Sequence, residues 1–511
     1  MKVNLTQGLD RACQIRGDEA GIIDGQTTLS WNELKDRIAR LAAGFRSLGL
    51  QEGDRVALLS LNSHHSVECF FAAIWAGGVI TPLNFRLSVS ELKNLVTDVS
   101  PKILVAGSDF IEIAQSLDIP QIIYSGNDDM TPEECQTYEE LINQNEPMEK
   151  IDRSGDDLAC LFFTGGTTGT PKGVMLSHSN IMANTLNFIG NIGMNEHTVH
   201  LHCGPLFHVA SAVRLFSVTQ AAGTHVMLPK FNNKDVLSAI TKHKVTLATF
   251  VPTMLKDLID LVTSRHTDLS SLRHITYGAA PMPEELLRKA METMPQVQFV
   301  QSYGMTELSP IATMLSAKEH AEPSGAKLKS AGRPALLSEV RIVNDNGDTL
   351  PAGEIGEVTV KGPMVMLGYW QKPDETAKVL KKGWMHTGDL GYLDEEGYLF
   401  VVDRLKDVII SGGENIYSQE VENVLHRHPS VNDCAVLGLP DEKWGEQVYA
   451  VVVPNCGAAI DANALIEHCR LHLAGYKCPK SIEIRTTPLP RSGTNKVLKP
   501  QLKEEALATA R

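Results

Sequence analysis

The chain has 511 residues, the length of two large domains or three to four ordinary ones. An apolar fraction of 43% and a charged fraction of 21% are those of a globular protein, and they exclude a disordered chain, a collagen or a coiled-coil rod. Lys+Arg 47 against Asp+Glu 61, a formal net charge of −14, is the wrong balance for a general nucleic-acid binder or an anionic-membrane docker, although a local basic site is compatible with it.

In chain order, Trp31 to Leu48 carries apolar residues at helical spacing (Leu34, Ile38, Leu41, Ala42, Phe45) and stops at Gly49. Asp54 to Ser60 reads as a buried strand and Ser66 to Trp75 as a second helix. The longest apolar run, Phe70 to Ile80, contains Gly77 and Gly78 and is well short of the ~18 to 20 residues of a membrane span. Lys102–Ala106, Gln121–Tyr124, Leu158–Phe163 and Leu247–Val251 repeat the strand signal, with helix-like stretches between them. Such alternation predicts mostly parallel sheets covered on both faces. After about residue 335, Val340–Val343, Gly356–Lys361 and Gly397–Val402 are short strands between Asp/Asn/Gly turns, an antiparallel pattern. From about residue 405 a smaller α+β cycle follows: a helix near Ser418–His426, strands at Asp433–Leu437 and Gln447–Val453, and a helix near Ala462–Leu473.

Nine cysteines are scattered with no C-x-x-C pair, which predicts reduced core thiols rather than a disulfide framework or zinc ribbon. The first residues lack a signal-peptide apolar region and Ala508–Arg511 is not a peroxisomal tripeptide, so the expected location is cytoplasmic. His200-x-His202 and His426-Arg-His428 have no nearby Cys or carboxylate to complete a metal set.

The most informative stretch runs Leu161-Phe-Phe-Thr-Gly-Gly-Thr-Thr-Gly-Thr-Pro-Lys-Gly-Val-Met-Leu-Ser-His178. A buried strand enters ten residues, Thr164 to Gly173, holding four Gly, four Thr and Lys172, and a helix is expected after them. Glycines let backbone N–H groups approach a polyanion, hydroxyls add donors and the lysine adds charge. A phosphate cradle and a plain Gly/Thr surface loop both fit this composition. It is not the Walker pattern, since Gly173 follows the lysine.

Here the chain resembles the adenylate-forming superfamily of acyl-CoA synthetases, luciferases and peptide-synthetase adenylation domains, from about residue 20 to 500. Thr164–Lys172 is similar to its phosphate loop and Ser302-Tyr-Gly-Met-Thr-Glu307 to its aromatic/Thr/Glu motif. Trp384-Met-His-Thr-Gly-Asp389 and Val402-Asp-Arg-Leu-Lys-Asp407 are similar to its ribose and hinge motifs, and Pro490-Arg-Ser-Gly-Thr-Asn-Lys496 to its C-terminal lysine motif. Five motifs in the family's order carry the resemblance. It departs from the family at Gly165, where Ser is frequent, and at Asn495, where Gly precedes the lysine.

The resemblance implies an α/β fold: a large N-terminal domain (1–404) of two mostly parallel sheets with helices plus a small distorted antiparallel barrel. A smaller mobile α+β domain (405–511) would follow, hinged at Lys406. It implies an ATP-dependent acid:CoA ligase that makes an acyl-adenylate from a medium- or long-chain fatty or aryl acid and passes it to CoA, releasing pyrophosphate and AMP.

By the same resemblance Thr164, Gly165, Gly166, Thr167, Thr168, Gly169 and Lys172 hold phosphates. Gly278, Ala279, Ala280, Tyr303 and Gly304 face the purine. Asp389 takes the ribose, Arg404 makes a second ribose or a phosphate contact, and Glu307 takes Mg²⁺. Lys496, Thr306 and His208 form the catalytic set, with Lys406 as hinge and Gly412 and Gly413 beside the CoA thiol. His208 stands where amino-acid-activating relatives have Asp, so a free amino acid is not the expected substrate. Helix Ser211–Gln220 and Phe250–Leu255 would line an apolar acyl slot. Arg214 is open to two readings, a surface salt bridge or a contact to a polar substrate tail. No carrier segment follows Lys499, so CoA is the simplest acceptor. The rivals are a standalone enzyme loading a carrier protein and a catalytically silent nucleotide-binding scaffold. Neither nucleic acid nor a transmembrane segment is expected, and monomer and homodimer stay open.

Overall fold

The computed structural model describes residues 3–126, 135–164, 171–264, 267–280, 282–322, 324–455, 457, 460–491 and 497–509. They divide into two compact units. The first comprises residues up to 164, 171–340 and 360–385; the second comprises 341–359 and the chain from 386 onward.

The first unit holds two sheets. In one, six parallel strands lie in the spatial order Gln298–Tyr303, His274–Gly278, Leu247–Phe250, Val199–His202, Thr224–Met227 and Ala20–Asp24. Antiparallel strands close its edges, Thr313–Leu315 on one side and Thr27–Ser30 on the other. The second sheet runs Gly368–Tyr369, Lys172–Ser177, Leu158–Thr164, Val79–Pro82, Arg55–Leu59, Ile103–Ala106, Gln121–Tyr124 and Gln136–Thr137.

Local sequence accounts for these elements. Helix Trp31–Ser47 opens with a capping box, Ser30 with Glu33, and buries Leu34, Ile38, Leu41 and Phe45 on one stripe. Helix His64–Trp75 is buried from Ser66 to Trp75, so its apolar run is core and not a face. Ile103–Ala106 is buried at every position, as a central parallel strand must be. Among the described residues no helix is long and apolar enough to cross a membrane.

One expectation fails instructively. After the glycine-rich loop the chain forms the strand Lys172–Ser177, antiparallel to Leu158–Thr164, and not a helix. Val174 and Leu176 are buried two residues apart, a period-2 pattern, and the helix His178–Ile192 begins only after the Ser177/Asn180 cap. The described cysteines are all free thiols; Cys13 and Cys135 are only half-buried, so the core assignment holds for the other described ones.

In the second unit antiparallel pairing dominates. Leu399–Arg404 lies against Trp384–Leu393 in a five-stranded sheet with Gly356–Lys361 and Glu339–Val343. The tail forms another sheet around the long hairpin of Val431–Asp441 and Gly445–Pro454, flanked by Ser418–Leu425, Ala462–His472 and Lys499–Thr509.

His178, at the start of its helix, is 1% exposed, and its Nδ1 accepts the Leu5 N–H at 3.2 Å. Burial, with Arg153 nearby, pushes its pKa down to about 4. The unfolded imidazole protonates near 6.5, so between these values the unfolded state binds more protons. About 3 kcal/mol of stability is therefore present above pH 6.5 and lost as pH falls to 4. Denaturant midpoints measured from pH 7 to 4 are expected to fall less steeply for His178→Gln than for the parent; parallel curves would refute the assignment.

Candidate active site

In the first unit the arms of the glycine-rich loop are a hairpin with Thr164 opposite Lys172 and Phe163 opposite Gly173. Gly165, Gly166, Thr167, Thr168 and Gly169 lie outside the described residues. Thr164 Oγ1 donates to the Lys172 carbonyl at 3.4 Å. Lys172 Nζ sits 2.7 Å from Glu375 Oε2 and 5.0 Å from the centre of the Tyr369 ring. Hydrogen bonds from Lys172 and Lys378 hold the Glu375 carboxyl well below the usual range.

Tyr369 ties three segments together. Gly368–Tyr369 pairs antiparallel with Met175 and Val174, and the Trp370 N–H donates to the Gly173 carbonyl at 2.7 Å. The Tyr369 hydroxyl donates to Glu307 Oε1 at 2.8 Å. Glu307 is 5% exposed, and its carbonyl accepts the Met366 N–H at 2.9 Å. Burial, and then the Glu307 charge, push the Tyr369 hydroxyl far above its ordinary range, so it stays a donor.

Thr306 and Glu307 form a single 3₁₀ turn, Thr306–Leu308, just past the strand Gln298–Tyr303. Between them Gly304 has φ +157, and a Cβ there would lie 2.0 Å from the Pro310 carbonyl oxygen, so only glycine fits. Gly278 ends the neighbouring strand opposite Ser302. Ala279 adopts φ +65, a left-handed conformation that is strained for a residue with a Cβ. Gly278, Ala279, Ala280, Tyr303 and Gly304 are thereby gathered at the carboxyl ends of two adjacent parallel strands, where open α/β sheets bind ligands.

His208 is half-buried, directly before the helix Val209–Ala221, with its ring 4.5 Å from that of Phe207. Phe250 and Leu255 belong to the core of the larger sheet, with Met254 partly buried against it. Arg214 is not at the surface. It is 2% exposed and has no ion pair among the described residues, which rules out the salt-bridge reading.

In the second unit Asp389 is 7% exposed and pairs across the sheet with Arg404, whose Nε lies 3.2 Å from Oδ1. The turn before it is locked. The Thr387 hydroxyl donates to the Val358 carbonyl at 2.7 Å, and the Gly388 N–H donates to Glu357 Oε1 at 3.1 Å. Lys406 is exposed on the 3₁₀ turn Leu405–Asp407. Gly412 and Gly413, both at positive φ (63 and 87), make the tight turn between Ile409–Ser411 and Glu414–Ile416. Lys496 lies outside the described residues.

Sequence reasoning missed two groups. Tyr369 lies in a Gly-Tyr-Trp run, with Glu375 just after it, that stands out only once its pairing with the loop hairpin is known. The other group is a buried network in the second unit. Asp403 accepts from the Ser418 N–H and hydroxyl, while Lys499 Nζ reaches Glu422 at 2.8 Å and the Ser418 hydroxyl at 2.6 Å. No spacing rule links residues so far apart in the chain. Among the described residues one trio has metal-ligand proximity, His64, His65 and Glu139, but Asp24 holds His64 and Arg37 holds Glu139.

Tyr369→Phe removes the only donor of that ring and keeps its packing. It is expected to lower stability by about 1–3 kcal/mol, read from urea midpoints, because the buried Glu307 carboxylate loses the Tyr369 hydroxyl as a donor. A change within about 0.5 kcal/mol would show the bond to be dispensable.

The AMP-binding enzyme family matches residues 9–370, and the AMP-binding enzyme C-terminal domain matches residues 420–496. Feruloyl-CoA synthase from Amycolatopsis sp is 41% identical over 480 residues, 94% of each chain. Indoleacetate–CoA ligase from Aromatoleum aromaticum is 34% identical, covering 98% of each chain. The o-succinylbenzoate CoA synthetase MenE from Bacillus subtilis, in complex with the acyl-adenylate intermediate OSB-AMP, superposes with a TM-score of 0.87 at 33% identity, covering 98% of both chains. The same enzyme in complex with ATP and magnesium ion gives 0.84 at 33% identity, covering 97% of this chain and 99% of that one. With the family matched over most of its length and relatives aligned along nearly the whole of it, the chain belongs to the AMP-binding enzyme family, among its AMP-forming acyl- and aryl-CoA ligases.

Proposed function

We propose that this protein activates an aryl or fatty carboxylic acid with ATP and transfers the acyl group to CoA. The observation that carries the reading is the convergence on Tyr369 of the basic arm of the glycine-rich loop, Lys172, and the buried carboxylate Glu307. A cation and an anchored acid brought together by one strand suit a polyphosphate.

A carboxylate resists attack by a thiol because its charge repels nucleophiles and its leaving group is poor. In the first half-reaction a carboxylate oxygen of the acid attacks the α-phosphorus of ATP; the bond to the β-phosphate breaks and pyrophosphate leaves. Lys172 and the loop N–H groups take up charge that moves onto the β-phosphate, and Thr306 and Lys496 steady the α-phosphate oxygens. Asp389, held by Arg404, accepts the ribose hydroxyls. Glu307 is a hard oxygen donor fixed in place by Tyr369, which fits Mg²⁺, and the ion when bound supplies charge neutralisation at the phosphates. In the second half-reaction the CoA sulfur attacks the acyl carbon and AMP leaves.

The proposal includes a body of residues 1–404 and a mobile tail of 405–511 turning at Lys406, so that Lys496 serves adenylation and then clears the path of the thiol past Gly412 and Gly413. The acidic composition and the lack of a membrane-crossing helix among the described residues support a cytoplasmic setting, as monomer or homodimer.

A panel of carboxylic acids scored by pyrophosphate release, with CoA and a carrier protein offered as acceptors, tests the reaction. Release with no acid in the panel would sink it, and transfer to the carrier alone would correct the acceptor. Lys496→Ala is expected to lower adenylation by about 100-fold or more and to leave thiolysis of supplied acyl-AMP nearly intact. Equal loss of both steps refutes the alternation. Lys406→Pro is expected to slow the thioester step more than the adenylation step, and unchanged CoA turnover would count against the hinge.

A further inference from the structure

Arg214 sits in the middle of the helix Val209–Ala221 with its guanidinium carbon 3.4 Å from the centre of the Phe188 ring. Among the described residues its Nε and Nη1 have no hydrogen-bond partner. His200 is also buried, and among the described residues neither of its ring nitrogens has a hydrogen-bond partner. Both line a small cavity with His202, Cys203, Ser211 and Thr249, with space for about one water-sized group.

The neighbouring imidazoles do not compensate the charge. His202 Nε2 meets His225 Nδ1 at 3.0 Å, and His225 Nε2 meets the Thr219 hydroxyl at 3.1 Å, a closed chain that leaves Arg214 out. Burial and the adjacent positive charge push His200 and His202 far below their ordinary range, so both are neutral at pH 7. Burial lowers Arg214 to about 9, which leaves it charged. Among the described residues no carboxylate lines the cavity. An unpaired buried cation is destabilising by several kcal/mol, and proteins hold one where a ligand supplies the missing anion or acceptor.

The cavity is bounded by Gly204, four positions before His208, and by Ser211 and Arg214 on the helix that starts directly after His208. Arg214 lies six positions after His208, the residue that caps this helix, a rise of about 9 Å along its axis. That span is comparable to a carboxylic acid carrying one aromatic ring or a short alkyl chain. We propose that Arg214 and His200 form a recognition site for a second oxygen function at the far end of the acid substrate, a phenol oxygen or a second carboxylate. Arg214 donates to that oxygen, and neutral His200 accepts from a phenol hydroxyl or donates to a carboxylate. This site rests on the ligase reading above and narrows its substrate class to acids polar at both ends.

The test uses the full-length enzyme and two matched pairs, 4-hydroxyphenylpropenoate with phenylpropenoate and octanedioate with octanoate. In the parent, the oxygen-bearing member of one pair is expected to give the higher kcat/KM for pyrophosphate release, and the pair identifies the source of the oxygen. Arg214→Met is expected to lower that value by about 10- to 100-fold and to change the apolar partner by less than about threefold. Arg214→Lys should restore part of the preference. Without substrate, Arg214→Met should melt no lower than the parent, since it removes an uncompensated charge, and the oxygen-bearing acid should raise the Tm of the parent alone. Equal loss on both members of each pair, or a parent with no preference for the oxygen, overturns the site while leaving the ligase reading intact. Absence of pyrophosphate release with every acid overturns both.

Discussion

The hydrogen bond from Tyr369 to Glu307 is the joint on which the first unit's chemistry depends. A buried carboxylate is tolerated only where donors meet it, and here the donor comes from a strand that also extends the sheet beside the glycine-rich hairpin. One aromatic side chain thus fixes the position of an acid, lies beneath a lysine and pins the edge of the loop. The glycine at 304 serves the same end, because only a residue without Cβ lets the acidic turn fold back against Pro310.

The alternation of helix and strand and the antiparallel texture beyond residue 335 were legible in the sequence, since period and turn chemistry act locally. The motif residues were legible too, but through resemblance more than through physics: Thr387-Gly-Asp389 is an ordinary turn until Glu357 and Arg404 are seen to lock it. Around Lys172 the glycine-rich composition points to a loop that runs into a helix, whereas the chain forms a strand there. The two-residue spacing of Val174 and Leu176 is the local signal of that strand, short enough to be masked by the glycine-rich loop before it and the helix after it.

What could not be read was long-range. Nothing near Arg214 in the chain distinguishes a buried guanidinium from a surface one, because its burial is decided by Phe188 and the strands bearing His200 and Thr249. The same holds for Lys499, which meets Glu422 and Ser418 from across the tail. With Asp403 seated at the start of the helix Ser418–Leu425, this network joins the end of the strand before Lys406 to the tail's own core. A substitution at Lys499 would therefore be felt on both sides of the proposed hinge.

The pairing of Lys172 with Glu375 gives the loop a further property. A bare cation would greet any passing anion, and its grip would weaken steeply with ionic strength. Lys172 already has a carboxylate companion, and Lys378 waits on the other side of that carboxylate. In the proposed role, an incoming polyphosphate displaces a resident partner, which is taken over by its second lysine. Selection then favours visitors of high charge density, and chloride or a lone carboxylate competes poorly for the same position.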